Sequence, residues 1–309
     1  MAKQPRPLSG KVVAITGGAR GIGRATAAML RARGAKVAIG DLDSALCSRV
    51  AGELGAGAVG LALDVTSRES FTRFLGEVER RLGPLDVLIN NAGIQPLGEF
   101  VRERDAVTEH VLDVNLGGTA LGCKLAIERM LPRETGHIVN VASGLGRTAV
   151  PGAASYCASK YAIVGLSEAV QAELAGSQVE LHLVLPGFTD TEMSAGLKGL
   201  RGLAACSPRD VAKAIVEAIE FGRAEVFVPR ALGRLVAMQP LTPQRVAALI
   251  RGLLRSDRLM TDVDPLERAA YEARIAPPEE PGKLDPAATV ASAAASVADA
   301  VRAGDGGAA

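Results

Sequence analysis

The sequence carries almost no excess charge of either sign: 35 Lys and Arg stand against 34 Asp and Glu, a formal net charge of +1. A dedicated nucleic-acid binder needs a strongly basic domain or stripe, so this balance argues against that class. The four cysteines, Cys47, Cys123, Cys157 and Cys206, are scattered without a CxxC pair. That spacing gives neither a disulfide framework nor a cysteine metal site, and reduced thiols in a cytosolic setting are the expectation. His110, His137 and His182 are too far apart in the chain to suggest a metal centre or a Ser/His/Asp triad, and they read as structural. No apolar run reaches the ~18 residues of a membrane span. The opening "MAKQPRPLSG" lacks the apolar core of a signal peptide, so a cytoplasmic protein is expected.

What is present is the composition of an ordinary globular protein, with 48% hydrophobic and 22% charged residues. From Lys11 to about Phe227, short apolar runs alternate with longer amphipathic stretches. The runs are "VVAIT", "KVAIG", "VGLAL", "LDVLI", "HIVNVAS", "VELHLVL" and "EVFV". Runs that are apolar on both faces belong to a parallel sheet covered by helices on both sides, so seven parallel strands in an α/β fold are predicted. Helical periodicity places helices near 22–33, 43–54, 67–82, 105–131, 153–175 and 207–222. The expected organisation is an N-terminal arm over 1–7, a doubly wound domain over 8–228, a helical extension over 229–275 and a disordered Ala/Pro/Gly-rich tail over 276–309.

The first strand runs into "TGGARGIGR" and then a helix. Gly17, Gly21 and Gly23 suit a tight turn, close approach to a pyrophosphate and close packing of helix on strand. The helix beyond presents unpaired N–H groups to phosphate. The second strand ends in Asp41, near the separation expected of a carboxylate that binds the adenosine ribose hydroxyls. A carboxylate there repels a 2′-phosphate, which favours NAD over NADP; Arg20, a guanidinium in the glycine loop, is the counter-signal.

Tyr156 and Lys160 are four apart on a predicted helix and share one face. A free tyrosine, with a pKa of ~10, is a poor base at neutral pH. A neighbouring ammonium and an oxidised nicotinamide both favour phenolate and are expected to move the pKa toward the working range. Ser143 closes the strand "HIVNVAS" at its carboxyl end, where ligands bind in open α/β sheets. Asn115 lies within a predicted helix, where an amide side chain has no helical advantage.

With these residues in order, the chain resembles a classical short-chain dehydrogenase/reductase over about residues 8–228. The motifs are "TGGARGIG", "NNAG" at 90–93, Asn115, Ser143, the YxxxK of Tyr156 and Lys160, and "PG" at 186–187. The resemblance implies a Rossmann fold and reversible hydride transfer between a secondary alcohol and a ketone. It implies Tyr156 as general acid/base, Lys160 lowering its pKa and holding the nicotinamide ribose, Ser143 orienting the substrate oxygen, and Asn115 anchoring a relay water. Cofactor contacts would include Thr16, Gly17, Arg20, Gly21, Ile22, Gly23, Asp41, Asp64, Val65, Asn91, Ala92 and Gly93. Pro186, Gly187, Thr189 and Thr191 would meet the carboxamide side. The family implies a homo-oligomer, a dimer or tetramer; the scattered cysteines and histidines indicate no metal site.

The segment after "PG", "FTDTEMSAGLKGLRGLAACS", is expected to form a lid. Its leucines and small residues suggest a lipophilic substrate of the steroid, retinoid or long-chain alcohol class; Lys198 and Arg201 are its candidates for meeting an anionic one. Residues 231–259 intersperse apolar residues with Arg234, Arg245, Arg251, Arg255 and Arg258. Such a segment can make peripheral contact with an anionic membrane, although packing against the lid or a neighbouring subunit is favoured. The alternatives to an NAD-linked dehydrogenase are an NADP-linked carbonyl reductase and a non-catalytic dinucleotide-sensing scaffold.

Overall fold

A computed structural model of the chain describes residues 4–197, 205–238 and 260–277. Seven strands form one all-parallel sheet: β1 (Val12–Thr16), β2 (Lys36–Asp41), β3 (Ala58–Ala62), β4 (Val87–Asn90), β5 (Gly136–Val141), β6 (Val179–Pro186) and β7 (Glu225–Val228). Their order is β3-β2-β1-β4-β5-β6-β7. The chain therefore leaves β1 in one direction for β2 and β3, then returns to place β4 on its other side. Loops leaving the carboxyl ends of β1 and β4 diverge there and open a crevice.

The apolar runs of the sequence are buried on both faces, as a sheet between two helix layers requires. Val13 and Ile15 of β1 pack toward α1 (Gly21–Ala32), α2 (Ser44–Leu54) and α7 (Pro208–Phe221). Val12 and Ala14 pack toward α3 (Arg68–Leu82) and α5 (Gly118–Met130), with Phe71, Phe74, Leu75 and Met130 in the same cluster. Helix α6 (Ala154–Glu173) also lies on the sheet, setting Ile163 and Val164 against Leu183 and Leu185 of β6.

One predicted helix is interrupted. Residues 105–131 form α4 (Asp105–Leu112), a π-helical turn (Asp113–Gly117) and α5. The wide turn has a local cause: Asn115 is fully buried and its side chain bonds the backbone of Ile94, so helix geometry yields to that contact. Gly118 then lets the chain pass Val65, since a Cβ there would stand 2.8 Å from the valine Cγ2.

The predicted helical extension is present in two described pieces, α8 (Arg230–Met238) and a helix we call α9 (Pro265–Ile275). Asp264 caps α9 by accepting from the Leu266 and Glu267 amides at 2.9 and 3.4 Å. The breaks expected at Pro240 and Pro243, and Arg245, Arg251, Arg255 and Arg258, lie outside the described residues, as do Lys198, Arg201 and the tail from 278 onward.

Candidate active site

The glycine turn between β1 and α1 is shaped by contacts that exclude side chains. A Cβ on Gly23 would stand 2.3 Å from the Gly17 carbonyl oxygen, and one on Gly17 would stand 2.9 Å from the Ala92 Cα. Gly17 also has φ +62° and Gly21 φ +45°, in the left-handed region that glycine tolerates. Helices α2, α3 and α7 are capped by Asp43, Ser67 and Ser207, whereas α1 has neither a side-chain cap nor an acid in its first turn. Its first amides are thus left for an anion, and the turn fits a dinucleotide pyrophosphate.

Thr16 and the "NNAG" loop lock this turn to the end of β4. Thr16 Oγ1 accepts from the Asn91 and Ala92 amides, each at 3.0 Å, while Asn91 Nδ2 donates to the Thr16 and Gly17 carbonyls at 3.0 and 3.1 Å. Ile22 packs against the apolar cluster beneath. Asp41 ends β2, and Arg20 points toward Asp43 at 3.2 Å and Glu192 at 3.5 Å. Asp64 holds Thr66 through its amide and hydroxyl at 2.9 and 2.7 Å, and Val65 is buried beside Gly118. The loop after β6 folds over the glycine turn, bringing Thr191 within 3.4 Å of a Cβ position on Gly21. There Gly187 donates to the Val228 carbonyl at 2.7 Å and Thr189 to the Gly187 carbonyl at 3.0 Å. Pro186 is the last residue of β6, so these positions share the carboxyl edge of the sheet with the glycine turn.

Beside them, α6 presents Tyr156 and Lys160 on one face. Both are nearly sequestered, at 6% and 4% exposure, which is unusual for a lysine without a carboxylate partner. Lys160 Nζ donates to the Val141 carbonyl at 3.1 Å and lies 5.6 Å from the Tyr156 ring centroid. Ser143 stands near enough to the Tyr156 hydroxyl to oppose the rise of its pKa, and its Oγ accepts the Leu145 amide at 3.1 Å. Asn115 accepts from the Ile94 amide at 2.8 Å, donates to the Ile94 carbonyl at 3.0 Å and reaches Ser159 Oγ at 2.9 Å. Ser159 in turn bonds the Tyr156 carbonyl at 2.7 Å, so Asn115 is tied to α6 as well as to the loop after β4.

Burial sets the electrostatics. Desolvation pushes the Tyr156 phenol up from its ordinary value, with Ser143 opposing, and pushes the Lys160 ammonium down to about 8. The expectation of a lowered tyrosine pKa is therefore not met by the protein's own groups, because loss of solvent outweighs any benefit from the nearby lysine.

Sequence reasoning anticipated this constellation but missed its surroundings. Ser159 gave no signal distinguishable from an ordinary helical serine. Met260 packs with Tyr156, Cys157 and Ala153, and Tyr271 of α9 accepts the Gln95 amide at 2.9 Å; both come from the extension, where no motif marked them. Leu232 of α8 lies over Gly144 and Gly187 at the rim of the site. Cys157, beside the tyrosine, has its thiol pushed up by burial, as befits an inert packing residue.

Two of the histidines come together in space although they are remote along the chain. His137 and His182 are far apart in sequence but sit on adjacent strands, with His137 Nδ1 3.1 Å from His182 Nε2 and Glu180 about 4 Å from both. Most of their polar atoms are already engaged. His182 Nδ1 meets the Arg223 carbonyl at 2.9 Å, and both Glu180 oxygens receive Arg6 at 2.6 and 2.7 Å. A cation would have to displace that guanidinium, so the cluster reads as structural.

Comparison with known proteins agrees with this geometry. The family described as short chain dehydrogenase matches residues 11–199. The chain is 41% identical over 196 residues to 2-(S)-hydroxypropyl-CoM dehydrogenase 3 of Xanthobacter autotrophicus, covering 62% of this chain and 77% of that protein. It is 35% identical over 188 residues to the 3-oxoacyl-[acyl-carrier-protein] reductase FabG of Haemophilus influenzae, covering 60% and 77%. A short chain dehydrogenase/reductase from Burkholderia phymatum, solved in complex with NAD, superposes with a TM-score of 0.70 at 27% identity, covering 75% of this chain and 94% of that one. The chain belongs to the short-chain dehydrogenase/reductase family of NAD(P)-dependent oxidoreductases.

Proposed function

We propose that the protein interconverts a secondary alcohol and a ketone by NAD-linked hydride transfer, with Tyr156 moving the proton. The observation that carries this reading is the buried Tyr156 with buried Lys160 one helical turn away, its Nζ 5.6 Å from the tyrosine ring, at the edge of the sheet that also carries the glycine turn. A bound nicotinamide supplies the site that gives or takes the hydride. In the reducing direction the Tyr156 hydroxyl donates its proton to the carbonyl oxygen, which Ser143 holds. In the oxidising direction the phenolate takes the proton from the alcohol.

The high pKa imposed by burial suits the acid role. The base role needs added positive charge, which Lys160 in its charged form and an oxidised nicotinamide provide. Asn115 fixes the loop after β4 relative to α6, and with Lys160 it is the proposed anchor of a relay water. The glycine turn, Asp41, Asp64, Val65, the "NNAG" loop, and Pro186, Gly187, Thr189 and Thr191 are the proposed cofactor contacts.

NAD rather than NADP is supported by Asp41 and by Arg20, whose guanidinium faces Asp43 and Glu192 instead of standing ready for a phosphate. Leu97, Leu145, Val150, Leu197 and Met260 around the tyrosine support a largely lipophilic substrate, as in the steroid, retinoid or long-chain alcohol classes. We further propose a homo-oligomer, a dimer or tetramer, and a dehydrogenase domain spanning 8–228 followed by the extension.

The test is reduced-cofactor formation with NAD and with NADP across short secondary alcohols, steroids and long-chain alcohols, alongside Tyr156→Phe. The variant should bind NADH as the parent does and lose ~10²–10⁴-fold in turnover, the usual contribution of positioned proton transfer. Full activity in Tyr156→Phe would remove the assignment, and a preference for NADP would move it to a carbonyl reductase.

A further inference from the structure

The C-terminal segment lies beyond the residues that match the family, yet it is built into the site rather than laid over it. Met260 is 4% exposed and shares a cluster with Tyr156. Gly152, at φ +82°, has room only for hydrogen, because a Cβ would stand 2.7 Å from the Met260 carbonyl. Asp264 donates its amide to the Gly196 carbonyl at 2.9 Å, and Leu197 bridges to Val263.

Arg268 of α9 is 3% exposed. It donates to the carbonyls of Met193 and Ala195 at 2.9 and 3.2 Å and to that of Gln95, and it pairs with Glu272 at 2.5 Å. One buried guanidinium thus ties the extension to the loop after β4 and to the loop after β6. Its Cζ lies 4.8 Å from the Tyr271 ring centroid and that of Arg274 5.3 Å from it, so two cations contact the ring.

What this scaffold fixes is a hydroxyl. Tyr271 is 5% exposed, and its Oη accepts from the Gln95 amide at 2.9 Å, one residue after the Ile94 that Asn115 clamps. The acceptor side of that hydroxyl is used, while among the described residues its hydrogen has no acceptor. Burial raises the phenol to about 12, so it stays a donor at any working pH, and Gln95, whose amide it accepts, also reaches Met260 Sδ at 3.8 Å, the methionine that packs with Tyr156. A buried O–H with a rigid ring and an unused hydrogen is a recognition element when a ligand supplies the missing acceptor.

We propose that Tyr271 is a substrate-positioning residue whose hydroxyl donates to a second oxygen of the substrate, so that the preferred substrate is an oxo compound, or its alcohol, carrying a further hydrogen-bond acceptor on an otherwise apolar body. This rests on the reading of Tyr156 as the reacting centre. It narrows the substrate class from any lipophilic alcohol to one with two oxygen functions, one to react and one to be held.

The experiment compares ethyl 3-oxobutanoate and ethyl 4-oxopentanoate, whose second carbonyls stand at two distances from the first, with 2-heptanone. The full-length enzyme should show a higher kcat/KM for at least one oxo-ester than for the ketone. Tyr271→Phe should reduce that preference about tenfold, the worth of one good hydrogen bond, mainly through KM and with NADH affinity retained. If the phenylalanine variant does not fold, Tyr271→His, which keeps a ring and an N–H donor, should retain a preference.

An unmodified enzyme with no preference overturns the proposal, as does equal loss on ester and ketone in Tyr271→Phe, no loss at all, or loss of the preference in a folded histidine variant. The same ratio is also read by calorimetric titration of Tyr156→Phe with NADH bound, which does not consume the probes. Discrimination there separates the role of Tyr271 from the fate of the catalytic assignment.

Discussion

At the scale of single residues, the site depends on groups that have no room to move. Gly23 is the clearest case. A Cβ there meets backbone on two sides, the Gly17 carbonyl at 2.3 Å and the Gly18 Cα at 2.9 Å, and backbone cannot swing aside as a side-chain end can. Gly23→Ala should therefore open the turn and raise the Kd for NADH by ~100-fold or more, about 3 kcal/mol of lost binding, as measured by cofactor fluorescence. Retention of tight binding would mean that α1 can shift away from β1, against the packing seen here. Asn115 is constrained in a different way: both of its side-chain N–H groups and one acceptor position go to Ile94 and Ser159, which explains why an amide stands where helix propensity would prefer something else.

At the scale of elements, the helices separate into those that approach other backbone closely and those that do not. Gly52 in α2 and Gly76 in α3 have nothing within 4 Å of a would-be Cβ and show no positive φ, so neither glycine is required by its surroundings. Replacing either by alanine should stabilise the protein by ~0.5–1 kcal/mol through helix propensity, measured by urea unfolding with cofactor affinity unchanged. Destabilisation would indicate a neighbour on those faces in the assembled protein. The contrast with Gly118 and Gly122 in α5 is instructive. There a Cβ would meet Val65 at 2.8 Å and Asn90 Oδ1 at 2.2 Å, so α5 is pressed onto the sheet in a way that its weak amphipathic pattern does not announce.

For the molecule as a whole, the amino ends of β5 and β6 hold a pH-sensitive cluster on the opposite edge of the sheet from Tyr156 and Lys160. Burial, with His182 adding to it, depresses His137 from 6.5 to about 4, while Glu180 acts against the shift and Arg6 and Lys11 reinforce it. The folded state keeps this imidazole neutral, whereas the unfolded chain takes up a proton below pH ~6.5. Stability should consequently fall as pH drops from about 6.5 to about 4, by at most ~3 kcal/mol from this group. His137→Gln should flatten that part of the profile, followed by denaturant unfolding at a series of pH values. An unchanged slope would assign the acid sensitivity elsewhere.

The linear sequence determined the sheet, the glycine turn and the helical spacing of Tyr156 and Lys160, because each depends on local order: apolar runs of strand length, glycines at fixed spacing, and two residues one helical turn apart; their grouping with Asn115 and Ser143 rested on the family resemblance. Tertiary structure alone decided three other matters. It joined His137 to His182, because neighbouring strands bring together residues that are remote along the chain. It raised Tyr156 and lowered Lys160, because desolvation is a property of the surroundings and leaves no trace in spacing. It also packed Met260 against Tyr156 and tied Arg268 and Tyr271 to the loops after β4 and β6, because the return of the C-terminal chain is fixed by buried contacts with distant loops that no periodicity encodes.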